Sequence, residues 1–417
     1  MKYITLIFVA CTLLQCTNNK NTKADFMVGV AAYSINPEMG AFIAGDKFNR
    51  QFKGIHDSIY VKALVVSDTK NNMALITFDC IGMLYPTLQE IRKAVALKIP
   101  ASELDPSHIV MASTHTHEGP DVVGVYGPDQ MTSGLDSNYM KKIVRTSTDA
   151  IVEAWKNKKE AAIRYADTTC GEGWVYNICE PDDIDRSVAI LQFVSKDGKS
   201  LATLTNFACH PTFLDGVTDQ VSADYIAGLY NHLDKTFGGT NFFLQGPSGG
   251  WIQPEYEPKT FEQADKRGRE LGVIVEKALK NYTQMEQTDI VFKSKIFNMP
   301  VSNEGYKILS KAGVISRSVT DSVQTEVAWF SLGNAQFVTH PAETSPIHSL
   351  QSKAMMKNSG PRFVIEIGMD GLGYIVKPNY FDSTSNMPNH EYLTQTSVHR
   401  DAASILLGVV HVLANEK

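Results

Sequence analysis

A pair of β-branched runs joined by a tight turn, followed at once by a helical repeat, constrains this chain more than any other feature. Residues 59–66 and 73–78 flank Lys70-Asn71-Asn72 and read as a hairpin. Residues 86–99 then carry Leu88, Ile91, Ala94 and Val95 at helical spacing, with Pro86 accepted in the first turn. The same alternation recurs: 108–112 is a short buried strand, 139–155 an amphipathic helix, and 163–166 a strand again. Residues 188–194 and 201–207 make a second hairpin around Lys196-Asp197-Gly198-Lys199. Helices are expected near 223–236, 261–281, 344–357 and 396–414, with strands at 241–245, 289–298, 325–331, 335–339 and 362–367. Strands and hairpins interleaved with helices exclude a bundle or a sandwich. They predict an α/β fold, a mixed β-sheet flanked by helices. No repeat or Gly/Ser/Pro-rich linker divides the chain, so residues 25–417 are read as one catalytic domain.

The first residues stand apart from that fold. Met1-Lys2-Tyr3 precedes an apolar run over 4–14 and a polar break from Gln15 to Lys20, the anatomy of a secretory signal. The run is shorter than the roughly 20 residues a membrane span requires. Residues 1–15 are therefore read as a lipoprotein-type signal peptide and 16–24 as a polar leader. Cys16 is the expected lipidation site, which predicts an exported periplasmic or outer-membrane lipoprotein held to the membrane by its anchor. The formal charge, 39 − 45 = −6, leaves no basic stripe for nucleic acid. Of the remaining cysteines, Cys80 and Cys209 sit in apolar segments as core residues. The nine-residue step from Cys170 to Cys179 leaves a disulfide and two free thiols as open alternatives.

Three short segments carry candidate chemistry. Ser113-Thr114-His115-Thr116-His117-Glu118-Gly119-Pro120 follows a buried strand. Continued strand geometry would put His115 and His117 on one face. Two such imidazoles can hold a metal, or one can bind while the other polarises substrate; they can also be two surface histidines. His210 ends another strand immediately before Pro211 and projects at a carboxyl edge, where open α/β sheets keep their sites. Glu343 follows the strand at 335–339 and reads equally as a first-turn acid favoured by the helix dipole.

Taken together, these segments resemble the neutral (non-lysosomal) ceramidase family in its catalytic N-terminal domain. The likeness runs through Val28-Gly29-Val30-Ala31, Ile55-His56, Thr77-Phe78-Asp79-Cys80-Ile81-Gly82-Met83 and Thr114-His115-Thr116-His117-Glu118-Gly119-Pro120. It continues through residues 206–212, Ser222-Ala223-Asp224, Pro341-Ala342-Glu343 and Gly373-Tyr374. The resemblance implies one catalytic zinc ion held by His115, His210, Glu343 and Tyr374. It also implies that His117 acts on the reacting carbonyl or the attacking water, and that Tyr392 stabilises the oxyanion. The implied activity is hydrolysis of an N-acyl (amide) linkage, with a ceramide-like lipid as the default substrate. A glycan or other envelope substrate, or a non-catalytic binding homologue, is the alternative. No protein partner is implied.

The chain also departs from the family pattern. Where the family carries a serine important for activity, this sequence has Ile252 or Gln253, and Ser248 reads as a turn serine. Tyr176-Asn177-Ile178 replaces an Asn-Arg pair. The family's immunoglobulin-like C-terminal domain is not expected. Trp174, Tyr176 and Trp251 are candidates for aromatic surface near the cleft, with core packing as the plainer reading.

Overall fold

The structure, a computed structural model, describes residues 26–254, 258–382 and 384–416. Cys16 and the expected signal and leader lie outside the described residues. Eight strands build the larger sheet: β1 (Phe26–Ser34), β2 (Tyr60–Ser67), β3 (Asn72–Phe78), β4 (Ile109–Ser113), β5 (Lys159–Thr169), β6 (Ser187–Ser195), β7 (Ser200–Phe207) and β8 (Thr240–Gln245). Their order is β8-β7-β6-β5-β1-β2-β3-β4, with the short Thr283–Gln284 added beside β5. The middle of the sheet is antiparallel, while β3–β4 and β7–β8 are parallel pairs. Every residue of β4 is buried, as its unbroken apolar run requires of a strand covered on both faces.

A second sheet has the order β9 (Ile290–Pro300), β10 (Ser322–Leu332), β11 (Ala335–His340) and β12 (Arg362–Glu366), again ending in a parallel pair, β11–β12. The expected mixed-sheet architecture with flanking helices is what the chain adopts. Helix α1 (Tyr85–Ala96) follows β3, α2 (Ser137–Lys156) covers β1 and β2, and α3 (Tyr225–Thr236) and α4 (Phe261–Leu279) pack on each other. Asp136 caps α2 by accepting from the amides of Asn138 and Tyr139.

The last helix begins at Ala402 rather than near 396. The intervening turn is taken up elsewhere: Ser397 bridges to Tyr374, and its carbonyl accepts from Asn303 Nδ2.

Three seams join the two sheets. Ser113 N donates to Ile367 O at 3.3 Å, Met369 N to Met111 O at 2.8 Å, and Asn206 Nδ2, which also holds Leu244 O of its own sheet at 2.8 Å, to Val364 O at 3.1 Å. The carboxyl ends of β4, β7, β11 and β12 therefore meet in one place. The turn leaving β12 puts Ile367 at φ 49° and Met369 at φ 73°. A β-branched residue there is strained, and the inter-sheet hydrogen bonds hold it.

Lys62 is the most unusual core residue. Its ammonium is buried, donates to Asn241 O at 2.7 Å and lies 2.9 Å from the Tyr230 ring centroid. Burial lowers its pKa to about 8, with Asp79 and Asp234 opposing the shift. Between pH 8 and 10.5 the unfolded chain therefore binds the extra proton, and stability attributable to this site rises with pH. Relative to Lys62→Met, the native protein is expected to gain about 3 kcal/mol over that window in urea unfolding. A pH-independent difference between the two would show that Lys62 is not buried.

The alternative of a Cys170–Cys179 disulfide is corrected here. Cys80, Cys170, Cys179 and Cys209 are all free and buried. Cys179 donates through Sγ to Pro388 O at 3.2 Å and packs with Tyr374, Tyr380 and Leu393, whereas Cys170 belongs to the main core. The turn between them carries the two thiols into different clusters.

Candidate metal centre

Strand β4 ends at Ser113, and His115 adopts φ 72°. The expectation that His115 and His117 share a strand face is therefore wrong in its geometry. Two backbone bonds fix the turn instead: Thr114 N donates to Phe78 O at 2.8 Å and His115 N to Cys80 O at 2.9 Å. The left-handed residue swings both imidazoles to the same side, with ring centroids 5.0 Å apart and edge to face.

His210 follows β7, and both its backbone N and its ring Nδ1 lie 2.9 Å from Ile252 O. The centroids of His115 and His210 are 4.9 Å apart, those of His117 and His210 6.0 Å. Glu343 does not open a helix, as its position suggested. The helix starts at Pro346, and Glu343 instead forms a two-residue parallel bridge with Tyr374. That bridge aims Glu343 Oε2 to 3.1 Å from His210 Nε2 and 3.4 Å from His115 Nε2.

All three imidazoles have Nδ1 engaged: His115 on Ile81 O at 2.6 Å, His210 on Ile252 O, and His117 on Asp215 Oδ1 at 3.1 Å. An Nδ1–H held by an oxygen leaves the lone pair on Nε2. The Nε2 atoms of His115 and His117 are buried without a hydrogen-bond partner. A buried polar atom left unpaired is costly, and a cation among these donors would relieve the cost.

Donor atoms of His115, His117 and His210 lie within 4.8 Å of one another. With the Glu343 carboxylate between two of them, the set of imidazole nitrogens and one carboxylate oxygen fits a zinc ion. His340 makes the contrast: its two ring nitrogens sit 2.9 Å from Thr344 Oγ1 and Ser352 Oγ, which is how a structural buried histidine is satisfied.

The electrostatics follow from this packing. Burial opposes ionisation of Glu343, but His115 and His210 overcome it and hold the carboxyl well below its usual range. Burial disfavours a charged His115, and Glu343 reverses that, so its pKa is raised. Burial with the neighbouring His115 and His117 lowers that of His210, against the pull of Glu343. Burial and the Glu343 charge push the Tyr374 phenol up. Tyr374 Oη accepts from Trp251 Nε1 at 3.0 Å. Tyr392 stands at the rim, half exposed, with its ring 5.3 Å from Trp251 and 6.2 Å from Tyr374.

All six predicted site residues thus lie in one cluster. Of the aromatic candidates, Trp251 borders it, whereas Trp174 packs in the core against Phe207, Phe213 and Tyr225. Ser248 is fully buried and donates its N and Oγ to Glu366 Oε2. Ile252 offers its carbonyl to His210, and Gln253 Oε1 is buried without a partner. The Asn177 amide is consumed locally by Asp183 O, Cys179 N and Glu180 N.

Sequence reasoning missed Asp215 and Glu366. Asp215 lies in Leu214-Asp215-Gly216 just after His210-Pro211, where an acid before glycine reads as turn chemistry. Glu366 ends an apolar strand, and an acid at that position was the only signal in the sequence.

A mixed α/β scaffold whose strand ends converge on three imidazoles and a carboxylate defines a class of protein with a buried centre suited to one metal ion. Residues 26–238 match the family described as neutral/alkaline non-lysosomal ceramidase, N-terminal, and the chain belongs to that family. The neutral ceramidase of Pseudomonas aeruginosa is 20% identical over 300 residues, covering 64% of this chain and 44% of that protein. The match thus spans less than half of the relative's length.

The crystal structure of neutral ceramidase from Pseudomonas aeruginosa superposes with TM-score 0.75 at 14% identity, over 94% of this chain and 75% of the other. A ceramidase complexed with C2 gives TM-score 0.74 at 13% identity, with the same coverage. The fold is shared. No helix among the described residues is long and apolar enough to cross a membrane.

Proposed function

We propose that this protein is a zinc-dependent hydrolase of an N-acyl (amide) linkage, with a ceramide-like lipid as its default substrate. The observation that carries the reading is the pair of unpartnered, buried Nε2 atoms of His115 and His117 beside a Glu343 carboxylate shared with His210. In this reading His115, His210, Glu343 and Tyr374 hold one zinc ion. A zinc ion there supplies positive charge to the scissile carbonyl and makes water a stronger acid near neutral pH.

The chain's own groups do the rest. His117 takes a proton at Nε2 as water adds to the carbonyl carbon, then returns it to the leaving nitrogen as the C–N bond breaks. Tyr392 donates its hydroxyl to the developing oxyanion. Trp251 fixes the Tyr374 hydroxyl. Amide plus water gives a fatty acid and an amine. We read the protein as exported and lipidated at Cys16, which would set this site beside membrane lipids.

The test is fatty-acid release from ceramide by the zinc-loaded protein, with Glu343→Ala as the blank. Zinc-dependent release absent from the blank is the expected outcome. A zinc-holding protein that releases nothing would remove ceramide as the substrate. A different N-acyl or glycan substrate is favoured by one observation in particular: the Ser248 hydroxyl and the Asn177 amide are both turned inward to protein partners.

A further inference from the structure

The three histidines of the centre are not held alike. Carbonyl oxygens back His115 and His210, whereas a carboxylate backs His117. A carbonyl fixes the tautomer of a neutral imidazole. A carboxylate does that too, and also stabilises the imidazolium formed when Nε2 takes a proton. The backing partner thus sets His117 apart from His115 and His210.

We infer that Asp215 is the positioning residue that readies His117 for proton transfer. The inference rests on the amide-hydrolase reading above. Asp215 Oδ1 lies 3.1 Å from His117 Nδ1, with the two side chains only 22% and 15% exposed. The turn that carries Asp215 is itself tied down. Leu214 N donates to Asp224 Oδ2 at 2.9 Å, Val217 N to Leu214 O at 3.0 Å, and Lys259 Nζ to Asp215 O at 3.3 Å. Asp224 holds that turn from a strained backbone, φ 55°, at the start of α3.

The imidazole is confined from another side by Gly45. A Cβ at this glycine, which has φ +88°, would sit 2.6 Å from His117 Nδ1 and 2.7 Å from Cβ and Cγ. Only a bare backbone approaches that closely. Asp215 and Gly45, 170 residues apart (215 − 45), thereby leave the His117 ring one placement, with Nε2 buried and unpartnered.

The test compares the full chain with Asp215→Asn by zinc content, thermal unfolding, kcat and KM on the N-acyl substrate, and 15N-histidine NMR. Asparagine keeps the shape but can turn its amide N–H toward Nδ1, which selects the Nε2–H tautomer. The expected result is a kcat lowered about 10²–10⁴-fold with KM within about twofold, zinc and melting temperature unchanged, and the His117 signal moved to the Nε2–H form.

Unchanged kcat with an unmoved signal overturns the inference. Loss of zinc also overturns it, because carboxylates back metal-bound histidines as well, and His117 would then be a ligand. Gly45→Ala is the second variant, expected to lower kcat while zinc stays bound and the carboxylate is untouched; full activity in it counts against the clamp. If the native protein cleaves no N-acyl substrate, the function reading fails by itself. The NMR arm still decides whether Asp215 sets the tautomer.

Discussion

Glu343→Ala is expected to leave the protein folded and nearly free of zinc, with turnover at the level of a blank. Glu343 Oε2 sits between the Nε2 atoms of His115 and His210, at 3.4 and 3.1 Å. It is also the anion that opposes the charge of a dication in this pocket. Without it, two imidazoles and a phenol whose pKa burial and Glu343 have pushed well up make a poor cradle, and a tenfold loss of affinity corresponds to only about 1.4 kcal/mol. The removed carboxylate is expected to weaken zinc by at least about three such factors. Metal content after gel filtration, read by atomic absorption, is the measurement. Full zinc retention would remove Glu343 from the ligand set.

His117→Ala separates binding from chemistry. With zinc still held by the other side chains, turnover is expected to fall by about 10²–10⁴-fold, the range of a lost general acid–base group. A parallel loss of zinc would instead make His117 a ligand and require its role to be exchanged with that of a residue now placed in the cradle. The compact triangle of three histidine donors, all within 4.8 Å, makes the metal assay indispensable beside the kinetic one.

Glu343 and His117 are 226 positions apart (343 − 117), and that distance shows where sequence reading stops. Both short signatures, Thr114-His115-Thr116-His117 and Pro341-Ala342-Glu343, were visible because strands rich in β-branched residues end just before them. His115 and His117 do come together, but not through the i, i+2 alternation of a strand. Strand β4 is over by Ser113, and a left-handed His115 performs the convergence. Positive φ at a non-glycine residue has no local sequence signal strong enough to predict it.

Asp215 was invisible for a related reason. Next to glycine it looks like any turn acid, and only the meeting of its loop with the one after β4 gives it an imidazole to hold.

Local sequence determined the strands, the helices and most of the residues able to bind a metal, because hydrophobic periodicity and side-chain chemistry are properties of neighbouring positions. It placed the alternation that makes a mixed sheet and the histidines at strand ends. Tertiary structure alone decided that the carboxyl ends of β4, β7, β11 and β12 meet. It also decided that Glu343 pairs with Tyr374 instead of opening a helix, and that Cys170 and Cys179 part company. These outcomes depend on contacts between segments 31 to 228 residues apart (374 − 343 and 343 − 115). Packing of the two sheets sets such contacts, and no stretch of sequence carries that information by itself.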